Sequence, residues 1–81
     1  MISKEILMND IDLVKKFVDV VTKYSEDIDL MRGRYVIDAK SVMGIFSLDL
    51  SKPITIGIHT DDEERANAFF ADLNSLGVLY E

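Results

Sequence analysis

Hydrophobic and polar positions alternate from Ile2 to Met8, with Ile2, Lys4, Ile6 and Met8 on one side and Ser3, Glu5 and Leu7 on the other. This period of two predicts a strand. Asn9 and Asp10 follow as two good N-caps. From Asp10 to Tyr24 the period changes: Leu13, Val14, Phe17, Val18, Val21 and Tyr24 recur at i, i+3, i+4 and i+7, with Asp12, Lys15, Lys16, Asp19 and Lys23 outside. That pattern predicts an amphipathic helix with a wide core face. Its valines are β-branched and lower the intrinsic helix propensity, so packing must hold it.

Ser25-Glu26-Asp27 closes the helix, and two short strands follow, Ile28 to Met31 and Tyr35 to Asp38. Between them Gly33 can supply the positive φ that a tight hairpin needs. Ser41 to Leu48 predicts a short helix with Ser41 as its N-cap. Lys52-Pro53 then turns the chain into Ile54 to Thr60, where Ile54, Ile56 and Ile58 alternate cleanly with Thr55, Gly57 and His59. A last helix opens on Asp61, Asp62, Glu63 and Glu64, where its dipole favours anions. Its core stripe is Ala66, Phe69, Phe70, Leu73 and Leu76, and Gly77 stops it. The order is β-α-β-β-α-β-α: one α+β domain over residues 1–81, a sheet with helices on one face.

Composition narrows the function. A chain of 81 residues buries only about 60% of its unfolded surface, which leaves little room for a deep cofactor pocket. Its net charge of −6 repels phosphate backbones and anionic lipid, so neither nucleic acid nor a membrane is an expected partner. The absence of cysteine removes any disulfide or thiolate site and fits a reducing cytoplasm. No apolar run is long enough to cross a bilayer. No cofactor and no metal are expected. Consecutive acids such as Asp61 to Glu64 usually cap and solvate a helix start rather than bind a cation. No nucleophile is paired with a base, which argues against an enzyme. The one histidine, His59, lies off the core face of its strand and reads as a surface residue without a matched base.

Ser41 is the better candidate for chemistry. A serine N-cap needs no function, but a phosphate there would meet a positive helix end and change the local charge by about −1.5 to −2.

The segment Ala39-Lys40-Ser41-Val42-Met43-Gly44-Ile45-Phe46-Ser47-Leu48, set within the run from Phe17 onward and followed by Ile54-Thr55-Ile56 and an acidic-capped helix, resembles HPr. This is the histidine-containing phosphocarrier family of the bacterial sugar phosphotransferase system. The resemblance implies an open-faced sandwich, a four-stranded antiparallel sheet with three helices on one side. It also implies that Ser41 matches the family's regulatory phosphorylation site. Lys40, Val42, Met43 and Phe46 match a patch on which protein partners dock; Ile45 and Leu48 more plausibly face the sheet. Those partners are phosphotransferase-system proteins, an HPr-type kinase or a carbon-catabolite regulator.

The family's phosphoacceptor motif, of the type Gly-Leu-His-Ala-Arg-Pro, is another matter. Counting back from Phe17, its histidine corresponds to Asp10, its arginine to Asp12 and its proline to Leu13, and the preceding loop is shorter. A carboxylate about 4 Å from an incoming phosphate repels it by about 1 to 4 kcal/mol per unit charge. The helix dipole offsets only about 0.3 to 1 kcal/mol. Repulsion wins. An aspartyl phosphate would need Mg²⁺ held by further carboxylates, and nothing nearby supplies them. The expectation is therefore an HPr-like regulatory or docking protein without histidine phosphotransfer, acting in the bacterial cytoplasm. The alternative is a phosphocarrier using an unrecognised acceptor, and the third is a small stand-alone enzyme. Asp12, where the family's arginine helps kinase and regulator contacts, weighs against recognition of Ser41 by such a kinase.

Overall fold

The computed structural model describes residues 1–80. Its elements are β1 (Ile2–Ile6), α1 (Ile11–Val21), β2 (Ile28–Arg32), β3 (Tyr35–Asp38), α2 (Val42–Phe46), β4 (Ile54–Ile58) and α3 (Glu63–Ser75). The strands form one antiparallel sheet in the order β1-β4-β2-β3. The cleanest alternation in the sequence becomes an inner strand. β4 meets β1 through Ile6↔Ile54 and Ile2↔Ile58, and meets β2 through Leu30↔Ile56 and Ile28↔Ile58. Ile54, Ile56 and Ile58 are all buried on the face that the helices cover.

Each helix presents its apolar stripe to that face. Val14, Phe17 and Val21 of α1, Ile45 of α2, and Ala66, Phe69, Phe70 and Leu73 of α3 join one core with Ile6, Ile28 and Leu30. The open-faced sandwich with three helices on one side is the architecture expected from the sequence. Leu13, Val18 and Leu76 pack against the core only in part.

Element ends differ from the expectations for identifiable reasons. β1 stops at Ile6, opposite the first residue of β4, so Met8 is buried but unpaired in the sheet. Leu7 N–H donates instead to Val78 O at 2.8 Å and Tyr80 N–H to Glu5 O at 3.0 Å, so residues 78–80 cover the outer edge of β1 at Glu5 to Leu7. α1 ends three residues before Tyr24. Thr22 Oγ1 donates back to Val18 O, and Lys23 and Tyr24 tighten into three-residue bonds to Val20 O and Val21 O. α2 closes the same way, at Ser47 and Leu48.

Two glycines are required by geometry. Gly33, at φ 59°, is the first residue of the two-residue turn closed by Arg32↔Tyr35. At Gly44 a Cβ would stand 2.6 Å from Ile37 Cγ2, so α2 lies closer to β3 than any side chain there permits.

Candidate functional site

Ser41 caps α2 from an extended backbone, at φ −98° and ψ 106°, and its Oγ accepts from Gly44 N–H at 3.2 Å. The helix is one and a half turns long, too short to be stable alone. Ile45 anchors it, being fully buried. The opposite side carries Val42, Met43 and Phe46, exposed by 45%, 87% and 46%. Three large apolar side chains thus stand in solvent on a helix of five residues. Core packing does not explain them.

Lys40, expected in the partner-docking patch, is tied to the protein's own backbone. Its ammonium donates to Tyr24 O at 2.7 Å and Glu26 O at 3.0 Å, strapping the start of α2 to the loop after α1. It positions the exposed face by holding the backbone beneath it.

At the entrance of α1, Asp10 is the N-cap, and its Oδ1 accepts from Asp12 N–H at 2.9 Å. Both carboxylates are exposed. Beside them Ile11 is 62% exposed. Ile11 carries only a weak signal in the sequence, an isoleucine in the first turn outside the core stripe.

His59 lies off the core face, as the alternation predicted, but it is not without a partner. Its Nε2 is 2.6 Å from Asp29 Oδ2. The register Ile28↔Ile58, together with the 2.9 Å bond from His59 N–H to Asp27 O, brings these residues together although they are thirty apart in the chain. The same registers place His59 far from Asp10. Ile6, just before the α1 entrance, pairs with Ile54, whereas His59 follows Ile58 at the other end of β4.

Between α1 and α3 runs a polar cluster. Arg65 donates to both Glu26 carboxylate oxygens at 2.8 Å and lies over the Tyr24 ring, 4.9 Å from its centroid. Tyr24 donates its hydroxyl to Asp72 at 2.6 Å. The Arg65 bonds, with a backbone hydrogen bond second, hold the Glu26 carboxyl down at about 2. Burial, then the bond to Asp72, pushes Tyr24 up to about 12. A depressed carboxylate stabilises the fold above its unfolded value near 4.5, and this contribution fades as pH falls through about 2. A raised tyrosine stabilises below its unfolded value of 10, and that contribution fades as pH rises through about 12. Glu26→Gln is expected to flatten the fall of the thermal midpoint between pH 4.5 and 2. Circular-dichroism melts across that interval check it.

The acids at the start of α3 act as caps: Asp62 Oδ1 accepts from Glu64 N–H at 3.0 Å and Arg65 N–H at 3.3 Å. Among the described residues no group of three or more His, Asp or Glu side chains could hold a metal ion. No described helix is long and apolar enough to cross a membrane.

Residues 13–76 match a family model, PTS-HPr, described as the PTS HPr component phosphorylation site. No curated protein matches the chain significantly. Among solved structures, HPr-C-His from Thermoanaerobacter tengcongensis is 29% identical with a TM-score of 0.72, covering 90% of both chains. The phosphocarrier protein HPr from Bacillus anthracis is 25% identical with a TM-score of 0.65, covering 88% of this chain and 94% of that one. A mycoplasma histidine-containing phosphocarrier protein shares the fold at 16% identity, with a TM-score of 0.70 over 99% and 98% of the two chains.

Proposed function

Since the chain belongs to the HPr family of the phosphotransferase system, we propose that it is a docking and regulatory member that does not carry phosphate on histidine. Carriers of this family are not themselves enzymes, and they interact with other phosphotransferase-system proteins. The observation that carries the reading is Asp10 at the N-cap of α1, with its carboxylate turned onto Asp12 N–H. A negative cap already occupies the amide that an incoming phosphate would need. The family match itself begins at Leu13, just beyond both acids.

The docking face is Val42, Met43 and Phe46, with Ile11 as a further apolar contact and Lys40 as the strap that positions the helix. Methionine adapts to varied partners, and an aromatic ring commonly anchors an interface centre. Ser41 is the site at which phosphorylation regulates this face. Its exposed hydroxyl stands beside Val42 and Met43, and a phosphate would set a charge of about −1.5 to −2 next to an apolar contact. The partners are phosphotransferase-system proteins, with an HPr-type kinase or a carbon-catabolite regulator reading Ser41.

The second reading, a carrier with another acceptor, has one observation in its favour: Asp29 orients His59 as a base would be oriented in a proton relay. Its surroundings oppose it. The groups bonded to His59 are Asp27 and Asp29, and no cation among its bonded partners would receive phosphoryl oxygens.

A competition assay with the system's first enzyme and an authentic carrier tests the proposal. This chain is expected to slow phosphorylation of the carrier in a concentration-dependent way. In parallel, an HPr-type kinase with ATP is expected to modify Ser41, even though Asp12 stands where an arginine aids that contact in the family. Failure to compete contradicts docking, and an unmodified Ser41 contradicts the regulatory part.

A further inference from the structure

The β2–β3 hairpin and the segment between α2 and β4 enclose a groove of about 760 Å³, within the range of small-ligand sites. It lies at the hairpin end of the sheet and shares no residue with the docking face. Arg32, Arg34 and Tyr35 line one wall; Ser47, Asp49 and Pro53 line the other.

Charge makes this groove unusual for the molecule. The chain as a whole carries −6, yet two arginines line this space, and Lys52 lies 4.0 Å from its Asp49. Arg32 is fixed in place: its Nη1 donates to Pro53 O at 2.8 Å, which leaves its remaining N–H donors oriented. Arg34 has no ion pair or side-chain hydrogen bond among the described residues, although fifteen carboxylates were available in the sequence to take it. Tyr35 lies opposite Arg32 in the register and is 69% exposed. The single acid among the lining residues, Asp49, has its hydrogen bonds elsewhere, although the charge of Arg32 also reaches it. It accepts from Ser51 N–H at 3.1 Å and Ser51 Oγ at 2.6 Å, and lies 4.0 Å from Lys52 Nζ.

A planar fork of donors binds phosphate or carboxylate in two places at once, and an exposed ring adds a surface for stacking. We propose that this groove binds a small organic anion, its phosphate or carboxylate held between Arg32 and Arg34 and its ring lying on Tyr35. Nothing in this assignment depends on the docking function.

Phenyl phosphate, benzoate and inorganic phosphate are the probes, titrated into the isotope-labelled full chain while backbone amide shifts are followed. Phenyl phosphate or benzoate is expected to move the Gly33–Tyr35 and Ser47–Asp49 amides saturably, with roughly millimolar affinity as befits so few atoms. The tighter of the two identifies the anionic group. Inorganic phosphate, lacking a ring, is expected to bind more weakly. Arg34→Ser should weaken phenyl phosphate by about tenfold, the loss of one charge-assisted pair. Asp49→Asn should tighten it by about twofold through removal of a like charge. Both substitutions are at exposed positions and leave the core intact. The proposal is overturned if neither organic probe gives saturable shifts, if the shifts map to other residues, or if Arg34→Ser leaves them unchanged.

Discussion

Phe46→Ala is expected to weaken binding of a phosphotransferase-system partner by about thirtyfold while lowering the protein's own thermal midpoint far less than loss of a core ring does. Aromatic anchors at interface centres cost about 2 kcal/mol or more when truncated, which corresponds to that factor. Phe46 is 46% exposed and outside the buried core, so its truncation costs the fold less than loss of a fully enclosed ring would. Met43→Asp should act in the same direction, since it sets a charge on a side chain that is 87% exposed in the free protein. Calorimetric titration of each variant with the system's first enzyme measures the effect. Affinity within twofold of the parent for both variants would remove α2 from the interface.

Phe17→Ala is expected to cost about 3 to 5 kcal/mol of folding stability. The ring is fully buried where α1 meets the sheet and is among the largest enclosed side chains. A domain of this size has roughly 4 to 12 kcal/mol in total, so the variant stands at the threshold of folding. Leu13→Ala, on the same helix but only partly buried, should cost much less. Urea unfolding of the two variants makes the comparison. Equal midpoints would mean that α1 does not pack as described.

The fold was largely legible because its signals are local and periodic. The isoleucines of β4, the stripe of α1 and the caps at Asp10, Ser41 and Asp62 each follow from neighbours within a few residues. So did the exposed side of α2, where Ile45 turns inward and Val42, Met43 and Phe46 turn out. What the sequence concealed depends on contacts between distant segments. His59 meets Asp29 only through the antiparallel pairing of β2 and β4. Glu26 meets Arg65, and Tyr24 meets Asp72, only when α3 packs beside the end of α1. The place of Lys40 in its segment points to a partner contact, yet two carbonyls from a separate loop bind its ammonium. The covering of β1 by residues 78–80 and the cationic groove beside the hairpin share this origin. Both exist only after the sheet has brought separate segments together.

On the proposed reading, the carboxylates of Asp10 and Asp12 at the head of α1 keep this chain from carrying phosphate as a histidine carrier does, and phosphate transfer reads this out directly. Labelled phosphoenolpyruvate and the system's first enzyme are incubated with the protein, and acid-labile phosphate on the chain is located by mass spectrometry. No labelled residue is predicted, while an authentic carrier in the same tube becomes labelled. Stoichiometric acid-labile phosphate on His59, or on any other residue, would contradict it.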